Sequence, residues 1–244
     1  MSGTGTVILH ELRGRTARPG NWLLLAAFSL STAVGVFFHG HFFAQGRADL
    51  TILFGEMPWL LAPLSAALAM DLWAEERSQG MLELLRSLPM RPWALLLGKY
   101  AAAWLWLLLA LISTMPLWLT VNYLGQPDNR AILVGYLGSA LLGGASLAVA
   151  TVAAQLARDE VTAFVGAMLA SVGYLVLGDA SMLGSQFALP PFVVRASAAL
   201  DMLAHFGPMA RGVLGAGDLA YFVLTTLVWL GGASLILQCW EPRR

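Results

Sequence analysis

The sequence predicts a single-domain, all-α membrane protein with six transmembrane helices. An N-terminal amphipathic interfacial helix, a cytoplasmic connector helix and short outer-leaflet helices before the last span complete it. Three observations carry this expectation. Apolar side chains make up 58% of the 244 residues and charged ones 11%, with a mean hydropathy of +0.71, whereas soluble domains carry about 25% charged residues. The apolar residues gather into segments close to the ~20 residues needed to cross a bilayer. The basic residues collect on alternate connections between those segments.

The first apolar run starts at Trp22, after the mixed segment MSGTGTVILHELRGRTARPG, which lacks the early apolar core and cleavage site of a signal peptide. Thr6 to Arg15 reads as an amphipathic helix on the membrane surface, with Val7, Ile8 and Leu12 on one side. Glu11, Arg13 and Arg15 are expected to face headgroups or solvent; the alternative is a frayed polar tail. Six spans follow, at about 22–43, 52–73, 93–121, 131–156, 161–178 and 219–239. The third is long enough to tilt, with Pro116 placed to kink its outer end, and the fifth is short.

With both termini cytoplasmic, the inner segments hold Arg13, Arg15, Arg18, Arg77, Arg86, Arg91, Lys99, Arg158, Arg243 and Arg244. The outer ones hold Arg47, Arg130, Arg195 and Arg211, an asymmetry that sets the orientation. The outer segment 180–218 is long and apolar. Pro190-Pro191 stops a helix there, and Val193, Ala196, Leu200, Leu203 and Phe206 then recur at helical spacing. One or two short helices in the outer leaflet are expected. In span four, Gly135, Ser139 and Gly143 recur every fourth residue, as do Ala140, Gly144 and Ala148, and span five repeats the pattern with Ala163, Ala167 and Ser171. Small residues at this spacing let helix backbones approach closely. Packing within the chain is favoured over a subunit interface.

The connector WAEERSQGMLELLRSLPMRPWALLLGKY, Trp73 to Tyr100, concentrates charge in an apolar chain. Gly80 permits a change of direction. Met81, Leu82, Leu84, Leu85 and Leu88 then form an apolar side opposite Glu83, Arg86 and Ser87, and Pro89 and Pro92 end the helix. Such a helix is too short to cross a bilayer, so it lies on the membrane or in a groove of a partner. This stretch resembles the connector of ABC-2 type transporter permeases, a pattern like EERxxGTxExLLxxP followed by GK. Glu75, Glu76, Arg77, Gly80, Glu83, Leu84, Leu85, Pro89, Gly98 and Lys99 fit it; Met81 departs, standing where a Thr is usual. Near the C-terminus, His205, Phe206, Arg211, Gly212, Asp218, Tyr221 and Phe222 are similar to the end of the gliding-motility (GldF-like) branch.

The resemblance implies a permease subunit of an ATP-driven exporter in a bacterial cytoplasmic (inner) membrane, working as two permease copies with two separate nucleotide-binding ATPase subunits. ATP and Mg would sit on those partners; this chain binds no cofactor and carries no G-x-x-x-x-G-K-[ST] phosphate loop. The 75–92 segment would be the coupling helix docked on the ATPase, and Arg158, Asp159 and Glu160 would make a second contact. A membrane-anchored accessory subunit with an outer domain often accompanies this branch. An alternative is a mechanotransmitting complex that relays ATP-driven motion to an outer partner without moving substrate across the bilayer.

Ionisable residues within spans are functional candidates. Asp71 and Lys99 flank the connector, and they pair with each other, or Lys99 pairs with Glu75 or Glu76, or each reaches headgroups separately. Glu56, near the outer end of span two beside Pro58, suits an interfacial cap better than a transport path. His39 and His41 do not share a helix face, and no carboxylate or Cys joins them, so no metal site is expected. The lone Cys239 excludes an internal disulfide. A net charge of zero gives no reason to expect a nucleic-acid partner. An intramembrane enzyme is disfavoured, because the spans carry no Ser-His, His-Glu or paired-Asp constellation.

Overall fold

The structure, a computed structural model, describes residues 3–39, 50–73, 92–178 and 200–239. Nine α-helices run through them: α1 (Gly3–Ala17), α2 (Pro19–Val34), α3 (Thr51–Met70), α4 (Pro92–Ser113), α5 (Met115–Leu124), α6 (Asn129–Leu156), α7 (Glu160–Gly178), α8 (Met202–Ala210) and α9 (Ala216–Cys239). The protein is all-α across these residues. Five stretches are long and apolar enough to cross a membrane: Pro19–Phe38, Thr51–Met70, Trp93–Leu124, Asn129–Leu156 and Ala216–Gln238. Together they make a multi-pass helical fold. The expected fifth span is the short one. At 19 residues, α7 reaches about 28 Å at 1.5 Å per residue, close to the hydrocarbon thickness.

Local sequence explains the element ends. Pro19 occupies the first helical position of α2, where its missing N–H costs nothing. A π-helical turn, Gly35–His39, extends α2. The helix α3 stays continuous through Pro58 and Pro63. The third span breaks at Thr114, with Pro116 opening α5, so the kink falls where the proline predicts it. Asp128 and Asp201 cap α6 and α8, each accepting two backbone N–H bonds with its carboxylate, which satisfies donors left over at a helix start.

The hub is α6, which packs against α3, α4, α7, α8 and α9. Its small residues make that possible. A side chain at Gly135 would run into the Phe54 ring, and one at Gly143 would sit 2.7 Å from Leu107 Cδ2. At Gly138 it would approach Met209 Cβ at 2.9 Å. The small-residue faces of α6 are therefore used within the chain. Small residues also expose backbone carbonyls: Tyr100 donates to Gly144 O at 2.8 Å and the Trp104 indole to Ala140 O at 3.1 Å. Buried hydroxyls of Thr32, Ser139 and Thr151 bond carbonyls four residues back, at Phe28, Gly135 and Leu147, so these side chains satisfy themselves without water. By contrast α2 and α9 are peripheral, and expose Trp22, Leu23, Leu30, Val223, Leu227 and Val228.

The short helix expected before the last span is α8, and its Met202, Phe206 and Met209 are buried against the bundle. Val193 and Ala196 lie outside the described residues.

The N-terminal helix corrects an expectation. It extends to Gly3–Ala17, but it does not turn Glu11 and Arg15 to headgroups or solvent: Arg15 is 3% exposed and Glu11 is half-buried, both facing the bundle. Leu9, on the apolar part of the sequence, is exposed. The physical reason is local. The ends of α3 and α4 present an ammonium and backbone carbonyls that need partners, and these two polar side chains supply them.

Candidate functional site

A polar cluster forms where α1 meets the end of α3 and the start of α4. The Lys99 ammonium donates to Glu11 Oε1 at 2.8 Å and to the Leu72 carbonyl at 2.9 Å. The Trp73 ring centroid lies 5.6 Å from the same nitrogen, within cation–π range. Leu72 and Trp73 precede the 75–92 segment of the connector, and Lys99 follows it near the start of α4. One ammonium therefore ties together the two chain ends between which the connector is strung. Lys99 is 3% exposed, a depth at which an unpaired ammonium is costly and a paired, hydrogen-bonded one is tolerated.

Arg15 donates through Nη2 to the Leu68 carbonyl at 3.3 Å, in the last turn of α3. Burial pushes its guanidinium below the usual arginine range, and the charges of Asp71 and Glu11 oppose that. Asp71 follows the span and has its carboxyl raised, first by burial, against the opposing pull of Arg15 and Arg18. The junction of α1 and α2 is pinned beside them. Asn21 donates to Arg15 O at 3.0 Å and the Trp22 indole to Thr16 O at 3.0 Å.

Among the described residues, the carboxylate bonded to Lys99 is thus Glu11 rather than Asp71, and Asp71 looks instead to Arg15 and Arg18. Glu75 and Glu76, the other expected partners, lie outside the described residues, as do Arg77, Gly80, Glu83, Leu84, Leu85 and Pro89. The loop Arg158–Asp159–Glu160 is described. Asp159 accepts from the Thr162 backbone N–H at 2.9 Å and so caps α7, while Arg158 and Glu160 are exposed. Glu160 adds its charge to the surroundings of Asp71, which puts this loop at the same end of the bundle as the cluster. Glu56 is half-buried in the second turn of α3, with its Cγ 3.6 Å from where a Cβ on Gly35 would lie. It sits at the far end of the span from the cluster.

Sequence reasoning missed Glu11 and Arg15 as members of the site. The signal was present: they lie four residues apart on one helix face, and the only lysine of the chain sits in an apolar helix in need of a carboxylate. Outside the cluster, Gln155 is fully buried in the last turn of α6, with neither amide atom hydrogen-bonded among the described residues.

At the opposite end, the C-terminal motif is drawn into one clasp. His205 Nδ1 and Asp218 Oδ1 are 2.8 Å apart, and the His205 ring stacks on Tyr221 at 4.1 Å between centroids. The Tyr221 hydroxyl donates to Leu200 O at 2.7 Å, and Phe206 and Phe222 are buried. Gly212 holds φ +84°, with Ala131 of α6 where a side chain would stand. These contacts fasten α8 to α9 and α6; their chemistry is structural.

No protein-family model matches the chain, and no curated protein matches it either. What the cluster can do is mechanical: it fixes the base of a connector to α1, α3 and α4 at once. Among the described residues no group of three His, Cys, Asp or Glu is placed to hold a metal ion.

Proposed function

We propose that this chain is the membrane-spanning permease of an ATP-driven ABC-type exporter, coupled to separate ATPase subunits through the 75–92 connector. The observation that carries the reading is the clamp at the connector's base. Lys99 bonds Leu72 O on one side and Glu11 on the other, so a force on the connector reaches α1, α3 and α4 together rather than dissipating in a loose loop. The multi-pass fold and the ABC-2-like residues Glu75, Glu76, Arg77, Gly80, Glu83, Leu84, Leu85 and Pro89 support it. In this reading two copies of the chain work with two ATPases, which bind ATP and Mg. Arg158, Asp159 and Glu160 offer the second contact, at the cytoplasmic end, with both termini on that side of the inner membrane. An accessory subunit with an outer domain belongs to the gliding-motility variant of the assembly.

The test is purification of tagged chain from its native membrane, with and without Glu83→Ala and Leu85→Ala. The doubly substituted chain is expected to insert normally and to lose the co-purifying ATPase, or to keep it with ATP turnover no longer responsive to the permease. Unchanged co-purification and unchanged turnover overturn the proposal.

The mechanotransmitting variant draws support from the bundle's interior. Residues 142–151 of α6 are all buried, and the hydroxyl of Thr151 among them bonds its own helix. ATP-dependent movement of substrate by the assembly in sealed liposomes separates the two: robust transport removes the purely mechanical variant.

A further inference from the structure

An apolar groove of about 190 Å³ lies between α2 and α3, with Phe164 of α7 beside it. Leu24, Ala27 and Ser31 line it from α2, and Leu60, Pro63 and Ala67 from α3. These positions recur at helical spacing, so each helix contributes one face. Both faces continue one turn further, to Gly35 on α2 and Glu56 on α3. There the Glu56 Cγ lies 3.6 Å from where a Cβ on Gly35 would stand. Consecutive spans run in opposite directions, so counting back from that contact sets Ser31 level with Leu60 and Leu24 level with Ala67. The groove therefore follows the helix axes from Leu24 to Ser31, about 10 Å at 1.5 Å per residue. Glu56 stands about 6 Å beyond its end.

This carboxylate makes the groove more than a gap for lipid. An ionisable side chain within a span is expensive and marks a functional site by default. Glu56 is half-buried in the hydrocarbon-length helix Thr51–Met70. Sequence alone suits it to a cap at the interface. Yet it lies about 8 Å into the span, and no side-chain bond caps the start of α3. Among the described residues, no ion pair or hydrogen bond engages its carboxylate. The backbone facing it is irregular as well: a π-helical turn starts at Gly35, a distortion that gathers at functional sites. A carboxylate without a cation thus heads an apolar groove that no side chain fills.

The occupant comes from the bilayer, because Ala27 and Ser31 are exposed and open the groove sideways. A cavity of about 150 Å³ takes benzene, so this one holds a chain of about eight carbons. Spread over about 10 Å, its volume gives a cross-section of about 19 Å². That is the section of one extended hydrocarbon chain, and far below that of a helix about 10–12 Å across. So short a slot also offers little of the ~800 Å² per partner that a stable interface with a second copy needs.

We propose that this groove binds a linear hydrophobic amine, its ammonium on the Glu56 carboxylate and its tail between α2 and α3. A fatty acid is repelled by that carboxylate, and a fatty alcohol lacks the cation. Under the exporter reading, on which a role as cargo rests, such an amine is the class of molecule moved. The site itself rests on the fold alone.

The experiment photolyses a dodecylamine carrying a diazirine in its tail with the full chain in phosphatidylcholine nanodiscs, and reads the point of insertion by peptide mass. Labelling is expected to saturate at one probe per chain, within residues 24–31 or 60–67. Unlabelled dodecylamine should displace the probe at about tenfold lower concentration than dodecanol, and laurate should not displace it. Glu56→Gln should erase the advantage of the amine over the alcohol, and Glu56→Asp should keep part of it. Ala27→Phe, at an exposed position, fills the groove while the chain stays folded, and should abolish labelling. Equal displacement by dodecanol, or an amine advantage that survives Glu56→Gln, overturns the proposal. So does labelling unchanged in Ala27→Phe, or no saturable labelling at all. Absent labelling in a chain that Ala27→Phe turns from dimer to monomer overturns it in favour of a second copy as the occupant. Binding is read without an ATPase, so it succeeds or fails independently of the co-purification that tests the exporter reading.

Discussion

Lys99 shows how one side chain changes character with its neighbours. An ammonium in the second turn of an apolar helix reads as a group that stretches to the surface, yet it is turned inward onto Glu11 and Leu72 O. Removing it leaves a part-buried carboxylate and a carbonyl without their donor. Lys99→Met is expected to destabilise the chain by about 3 kcal/mol. Glu11→Gln keeps an oxygen acceptor for the ammonium and should cost less, about 1–2 kcal/mol. Chemical unfolding in detergent micelles checks the order; an equal or reversed cost contradicts the clamp. Gly212 makes a second residue-scale case. Its φ of +84° and the abutting Ala131 leave no place for a Cβ, so Gly212→Ala should cost about 1–3 kcal/mol. The need for glycine was hidden in the sequence, where Gly212 is one of 25 glycines and nothing local marks its backbone angle.

Helices carry the next level, and α6 is the informative one. Its glycines abut neighbouring side chains, whereas glycines of α9 such as Gly231 face open space, so the two share a helix propensity but differ in surroundings. Gly143→Val pushes into Leu107 of α4 and should destabilise by about 1–3 kcal/mol through overpacking. Gly231→Ala in peripheral α9 meets nothing within 4 Å and should stabilise by up to about 1 kcal/mol. Opposite signs in thermal unfolding would distinguish packing from propensity. The positions of the long helices were legible in advance because apolar length is a property of the segment itself. The break at Thr114 was legible from Pro116 for the same reason. The inward turn of α1 was not. Its facing depends on Lys99, 88 residues from Glu11, and no pattern within Thr6–Arg15 encodes where that partner will be.

At the scale of the whole molecule, the two ends of the bundle do different things. One is fastened by the His205–Asp218 contact and the Tyr221 stack, and the other holds the charged cluster, the connector's base and the Arg158–Glu160 loop. Loosening the first should cost stability without touching coupling. Asp218→Ala is expected to lower stability by about 1.5–3 kcal/mol and, under the permease reading proposed above, to leave the ATPase co-purifying. Loss of the ATPase in that variant would mean the clasp is part of the coupling path. The candidate site was half legible: Asp71, Lys99 and the connector stand out as charges in an apolar chain. Their pairing did not, because charge partners are chosen in space and the sequence offers several carboxylates within reach of one amine. The chain's only lysine side chain sits under that clamp, 3% exposed. An amine-directed reagent therefore has a single side-chain target, shielded while the connector's base is closed. The rate at which a mild acylating probe modifies Lys99 becomes a clock for opening of that base, read by peptide mass without any engineered label.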